Sequence, residues 1–273
     1  MKRSVRYLVF AAILLALFST TGCSKLKARD QLNKGVQAYK AAQYDTAIEH
    51  FKNAVALDDK LAVARLYLAT AYAQQCVPNV DTPDNIQLCN QAIDQFKKQL
   101  ESDPNSVNSM KGIASLYFNM KKLDEAKDYH ERVLKLDPSD PEEYYSVAVI
   151  DWTEAYKARM EARSKMQLKP EDPIKDQKVC NQIKQENEGK VEEGINHLNK
   201  ALELRKDYDD AMAYLNLLYR EKADIECGNP GARRADLATA DDWVQKTMDT
   251  KKAKAEKQQG PGGIVLDQPK SSQ

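Results

Sequence analysis

Four times along this chain a helix-like run ends in nearly the same words. They are "NAVALDDK" at Asn53–Lys60, "KQLESDPN" at Lys98–Asn105, "RVLKLDPSD" at Arg132–Asp140 and "KALELRKD" at Lys200–Asp207. A second shared phrase precedes each: "YDTAIEHF" from Tyr44, "CNQAIDQF" from Cys89, "LDEAKDYH" from Leu123 and "VEEGINHL" from Val191. A small residue holds the same place in all four, Ala47, Ala92, Ala126 and Gly194, at spacings of 45, 34 and 68 residues. A chain that repeats itself at such a period folds as stacked supersecondary units, each burying its apolar surface against its neighbours. The composition agrees with helix, since 30% of residues are charged and Gly and Pro number only 10 each among 273.

The 34-residue spacing, with its small and bulky positions, resembles the tetratricopeptide repeat. In that family each unit is a helix A, a tight turn and a helix B. The resemblance implies an all-α, right-handed superhelical solenoid of antiparallel hairpins over residues 28–254. Its repeats fall at about 28–61, 62–106, 107–140, 141–208 and 209–254. Gly35, Ala47, Phe51 and Ala54 occupy the family's positions in the first repeat, with Asp59 where the family has Pro. The second repeat carries Ala69, Tyr72, Ala92, Phe96 and Pro104, and eleven extra residues between its helices. The third, with Ala114, Tyr117, Ala126 and Pro138, has no insertion. The fourth, with Ala148, Gly194, Leu198 and Ala201, carries about 34 extra residues, the length of one unit. They are read as a long helical hairpin projecting from the solenoid edge, the alternative being a degenerate sixth repeat. No breaker interrupts "EEYYSVAVIDWTEAYKARMEARSKMQ", whose apolar residues Val149, Trp152, Tyr156 and Met160 recur at helical spacing. A second unbroken run follows "KPEDP", from about Lys175 to Arg205. The fifth repeat starts at Asp209, with helix B expected over Ala232–Lys254. The polar "KKAKAEKQQGPGGIVLDQPKSSQ" implies a disordered tail at 255–273.

The N-terminus reads as a targeting segment. Lys2, Arg3 and Arg6 precede twelve apolar residues, Tyr7 to Phe18, too few to span a bilayer. Thr20-Thr21-Gly22 before Cys23 resembles a bacterial lipobox, with Thr20 where Leu is usual. That resemblance implies a signal peptide at 1–22, lipidation of Cys23, a short linker at 23–27 and an outer-membrane anchor facing the periplasm. A simply cleaved signal is the competing reading.

Removing Cys23 from the five cysteines leaves four, as suits an oxidising envelope compartment. Cys76 and Cys89 both sit in the repeat 2 insertion and are expected to pair and tie that loop. Cys180 and Cys227 are expected to meet because a solenoid sets its A–B turns along one edge. A metal site at these cysteines would need His or acidic partners at suitable spacing, and none stands near them; no CxxC occurs.

No phosphate loop, dinucleotide glycine motif, HExxH or GxSxG occurs, so neither cofactor, metal nor catalytic residues are expected. His50, His130 and His197 read as polar helix B residues, and Glu192-Glu193 as part of a solvated face. Formal net charge is zero, which gives no pull toward nucleic acid. The resemblance implies a concave groove lined by helix A. In this sequence its residues are Leu32, Val36, Tyr39, Leu66, Lys111, Phe118, Asn119, Tyr145 and Trp152. Leu32 and Val36 depart from the family's carboxylate-clamp subtype. The expected function is a membrane-anchored scaffold that binds an envelope protein or peptide in assembly, secretion or pilus formation. A module for a glycan is the alternative. Oligomeric state is open.

Overall fold

The computed structural model describes residues 23–169 and 172–259, and every regular element among them is a helix. The expected signal peptide at 1–22 and the tail from 260 lie outside the described residues. The chain divides into two compact units, one ending at Leu136 and the other beginning at Asp137. The solenoid expected over 28–254 extends into both units. The division falls inside the third recurring phrase, between repeats, where a chain built of local contacts has fewest to lose.

Unit 1 holds α1 (23–40), α2 (Tyr44–Leu57), α3 (Ala62–Gln75), α4 (Pro83–Ser102), α5 (Val107–Asn119) and α6 (Leu123–Leu136). Residues 23–27, expected as a linker, are the first turn of α1, where the Ser24 hydroxyl donates to the Leu57 carbonyl at the end of α2. The repeated small residues lie inside the core. Ala47, Ala69, Ala92 and Ala114 are wholly buried, beside Phe51, Phe96, Ile93 and Ile113. Gly35 and Gly112 each lie against a ring: a Cβ added there would fall 2.5 Å from Phe51 and from Phe96 respectively. Both rings are buried, so neither has room to retreat.

The recurring helix endings have a local cause. Asp58, Asp103 and Asp137 each accept a hydrogen bond through Oδ1 from the backbone N–H two residues on, at 3.2, 3.3 and 3.0 Å. This Asx turn reverses the chain after helix B without help from elsewhere. The A–B turns are equally local. Ala42 and Lys121 take φ of 57° and 59°. Gln43 N–H bonds the Ala38 carbonyl and Lys122 N–H the Tyr117 carbonyl, both at 2.9 Å, closing a Schellman motif at each site.

The insertion in repeat 2 is a braced loop. Cys76, just after α3, is joined to Cys89 in α4. Buried Asn85 accepts from Val77 N–H at 2.7 Å and donates to the carbonyls of Val77 and Val80 at 2.9 and 2.8 Å. Thr82 caps α4, with Pro83 in its first turn.

Unit 2 holds α7 (Pro141–Lys165), α8 (Gln177–Leu204), α9 (Asp209–Asp224) and α10 (Pro230–Gln259). The long insertion is therefore a hairpin extension: α7 and α8 run on past the length of an ordinary repeat, to 25 and 28 residues. Asp140 and Asp176 cap them, accepting from Glu142 N–H at 2.9 Å and from Lys178 and Val179 N–H at 2.9 and 3.0 Å. Helix α10 is longer than the expected Ala232–Lys254, taking in residues up to 259 that read as tail.

The extension does not project freely. Cys180 in α8 is joined to Cys227 beyond α9. Arg159 on α7 donates to Glu221 at 2.6 Å and to Asp224 at 2.9 Å, and Arg163 reaches the same Asp224 oxygen at 2.9 Å. Arg163 is only 1% exposed and also donates to the carbonyls of Lys169 and Asp172. The tip of the hairpin is thus fastened to the end of α9 by a covalent bond and a buried ionic cluster.

Candidate functional site

In unit 1 the A helices α3 and α5 face each other across a pocket of about 480 Å³. Leu66, Ala73, Phe96 and Leu116 make an apolar floor. Thr70, Gln74, Asn108, Ser115 and Asn119 supply hydroxyl and amide groups, and no lining side chain is charged. Helical spacing explains the arrangement: 66, 70 and 74 descend one face of α3, while 108, 112, 115 and 119 descend one face of α5. Gly112 keeps the floor low, its missing side chain leaving Phe96 flush with the helix. The Thr70 hydroxyl donates to the Leu66 carbonyl at 2.8 Å, so it has only acceptor capacity left for a ligand.

Of the helix A positions read from the sequence as facing the groove, Leu66, Thr70, Gln74, Ser115 and Asn119 line this pocket. Leu32, Val36 and Tyr39 lie on α1, half-buried against the unit 1 core. The Tyr39 ring meets Tyr44 and Tyr67 edge-on at 5.5 and 6.5 Å. Burial pushes its hydroxyl above the ordinary value and the nearby Tyr44 and Tyr67 add to that, while a bond from Gln74 opposes it. Lys111 and Phe118 are half-buried on α5 but do not line the pocket. Sequence reasoning missed Asn108, although it lies one helical repeat before Ser115 on the same face.

Tyr145 and Trp152 belong to unit 2, on α7. Both meet Tyr214 of α9 edge-on, at ring separations of 5.3 Å, and Trp152 also lies 5.0 Å from Tyr156. Burial, then the neighbouring Tyr214 and Asp210, raise the Tyr145 hydroxyl well beyond its usual range. The helix face that is open in unit 1 is occupied in unit 2 by its own aromatic rings.

The three histidines are not equivalent. His50 shares a hydrogen bond with Gln31 at 2.8 Å, and His130 is buried. His197 lies beside Asp151 of α7 and Glu193 of α8, with one potential ligand atom from each within 4.8 Å of the others. The sequence signal was a Glu and a His one turn apart on α8; the third member comes from 42 residues upstream. Cys23, the expected lipid site, is exposed at the start of α1. No described helix is long and apolar enough to cross a membrane.

Comparison with known proteins supports the same architecture. Residues 112–140 match the family model of the tetratricopeptide repeat. MamA from Desulfovibrio magneticus RS-1 superposes with a TM-score of 0.56 at 16% identity, over 84% of this chain and 98% of that one. YrrB, described as a TPR protein with an unusual peptide-binding site, superposes with a TM-score of 0.50 at 15% identity, over 83% and 91%. No curated protein sequence matches the chain. The class is therefore that of helical-hairpin repeat proteins. Residues 112–140 are a tetratricopeptide repeat, and the chain has the tetratricopeptide-repeat fold.

Proposed function

We propose that this chain is a scaffold whose unit 1 holds an extended segment of a partner protein across α3 and α5. The observation that carries the reading is the uncharged pocket between those helices. An extended peptide presents N–H and C=O groups at short intervals and apolar side chains between them. The amides of Gln74, Asn108 and Asn119 each offer both a donor and an acceptor, and the floor of Leu66, Phe96 and Leu116 receives an apolar side chain. With no charge in the lining, the segment bound is internal and neutral in preference to a free carboxylate terminus. YrrB, a TPR protein with an unusual peptide-binding site, favours the same use of the fold.

The setting we propose is the cell envelope, with the chain held on a membrane by lipid on Cys23 and its partner a protein of that compartment. Four paired cysteines support an oxidising compartment. Placing a photo-crosslinking residue at Ser115 or Thr70 and irradiating intact cells tests the groove. A discrete adduct with one envelope protein, lost when Asn108 and Asn119 are both changed to Ala, supports it. A folded protein that gives no adduct from either position refutes it. Cys23→Ser tests the anchor, with release from the membrane fraction expected.

A further inference from the structure

We infer that Asp151, Glu193 and His197 form a divalent-cation site of mixed nitrogen and oxygen ligands, which fits zinc, within the α7–α8 hairpin. The site is built where α7 and α8 are in direct contact. A Cβ added at Gly194 would lie 3.4 Å from the Cβ of Asp151. Asp151 on α7 therefore lies directly against the α8 backbone between Glu193 and His197. Those two side chains, four residues apart, lie one above the other on α8.

Three observations point to an ion in place of a simple ion pair. The ligand atoms of three metal-binding side chains from two helices converge within 4.8 Å. The imidazole Nδ1 of His197 is shut off from solvent and has no hydrogen-bond partner. It faces the Asp151 Oδ2 at 3.9 Å, too far for a hydrogen bond. Ligands bound to one ion at about 2.1 Å lie roughly 3 to 3.6 Å apart, so a small closing movement completes the site.

Asp151 is wholly buried, while Glu193 and His197 are partly exposed, which gives a dry floor and an entry route from the α8 side. One imidazole and two carboxylates suit zinc and its first-row neighbours; calcium prefers six to eight oxygens. Three protein ligands leave room for water to complete the coordination. Bound there, the ion would clip α7 to α8 at the root of the long hairpin.

The test uses the full-length protein, stripped with EDTA and titrated with Zn2+ by calorimetry and with Co2+ by visible absorption. One Zn2+ per chain is expected, with a melting temperature raised by saturating zinc. His197→Gln and Glu193→Gln touch partly exposed groups and keep the helical circular dichroism. Each is expected to weaken binding by at least about 100-fold, since even outer-shell partners of metal ligands are worth 10- to 100-fold. His50→Gln serves as a control and leaves binding unchanged. Absence of saturable binding in the wild type overturns the proposal, as does unchanged affinity in His197→Gln.

Discussion

Units 1 and 2 use the same hairpin for opposite ends. In unit 1 the helices are of ordinary length, the turns are closed by local backbone bonds, and the face between α3 and α5 is left open over an apolar floor. In unit 2 the corresponding face of α7 is filled by Tyr145, Trp152 and Tyr214 packing on one another. There the hairpin is lengthened, and charged groups are buried to hold it. An open, uncharged pocket is cheap to maintain and useful for recognition. A buried ionic cluster is costly to form and very costly to break, so it specifies one position for the elements it joins. On the proposed function, the contrast sets recognition in unit 1 and rigidity in unit 2.

The most severe test of that contrast is to remove the carboxylate on which Arg159, Arg163 and Arg233 converge. Asp224→Asn leaves Arg163, 1% exposed, without its charged partner. The expected loss is about 3 to 5 kcal/mol, as for other broken buried pairs. Both tryptophans, Trp152 and Trp243, lie in unit 2, so tryptophan fluorescence reports on that unit alone. The denaturation midpoint read by fluorescence should fall sharply. An unmoved midpoint would mean that the cluster contributes nothing to the rigidity assigned to unit 2.

The two disulfides come next, because they close rings of different size. Cys180–Cys227 spans 47 residues and Cys76–Cys89 spans 13. Loop-closure entropy gives about 4 kcal/mol for the first and about 3 for the second. Replacing each pair with Ser should therefore destabilise unit 2 slightly more than unit 1. Equal or reversed losses would show that the ionic cluster already holds the α8 end in place without the bond.

A gentler probe is pH. Burial raises the Glu221 carboxyl from 4.5 to about 7, against the opposing pull of Arg159. Its folded-state value lies above the unfolded one, so its contribution to stability is fully present below about pH 4.5. That contribution is lost as pH rises through about 7. Thermal unfolding followed by fluorescence should show this decline in the wild type, and a flatter profile in Glu221→Gln. If the two profiles coincide, Glu221 is ionised throughout the range and Arg159 outweighs its burial.

The order in which these features became visible follows from how far apart their parts lie in sequence. The hairpins were legible because their signals are local: Ala47, Ala92 and Ala126 recur at repeat spacing, and Asp58, Asp103 and Asp137 each turn the chain by bonding two residues on. The Cys76–Cys89 pairing was legible for the same reason. Arg163 was not, because a helical pattern assigns an Arg to solvent, and only the return of Asp224 from 61 residues away puts it inside. Trp152 and Tyr145 read as groove residues because Tyr214, which covers them, belongs to the next repeat. Residues 23–27 read as a linker because their place in α1 depends on the end of α2. In the candidate pocket, Leu66 and Asn119 were legible from their helix face, whereas Asn108 lay just inside a helix start that reads as part of a turn.

The smallest expected effect isolates unit 1. Lys121 occupies the left-handed region with φ of 59°, at the turn between α5 and α6. A side chain there costs about 1 to 2 kcal/mol that Gly does not, and Gly returns part of this through its freer unfolded chain. Its surface ion pair to Asp81, at 3.9 Å, is worth little. Lys121→Gly should therefore raise the stability of unit 1 by up to about 1 kcal/mol. Circular dichroism, which reads both units, should register the gain while tryptophan fluorescence does not move. A shift in both signals would show that the units unfold together, and that the rigidity of the second is shared with the recognition surface of the first.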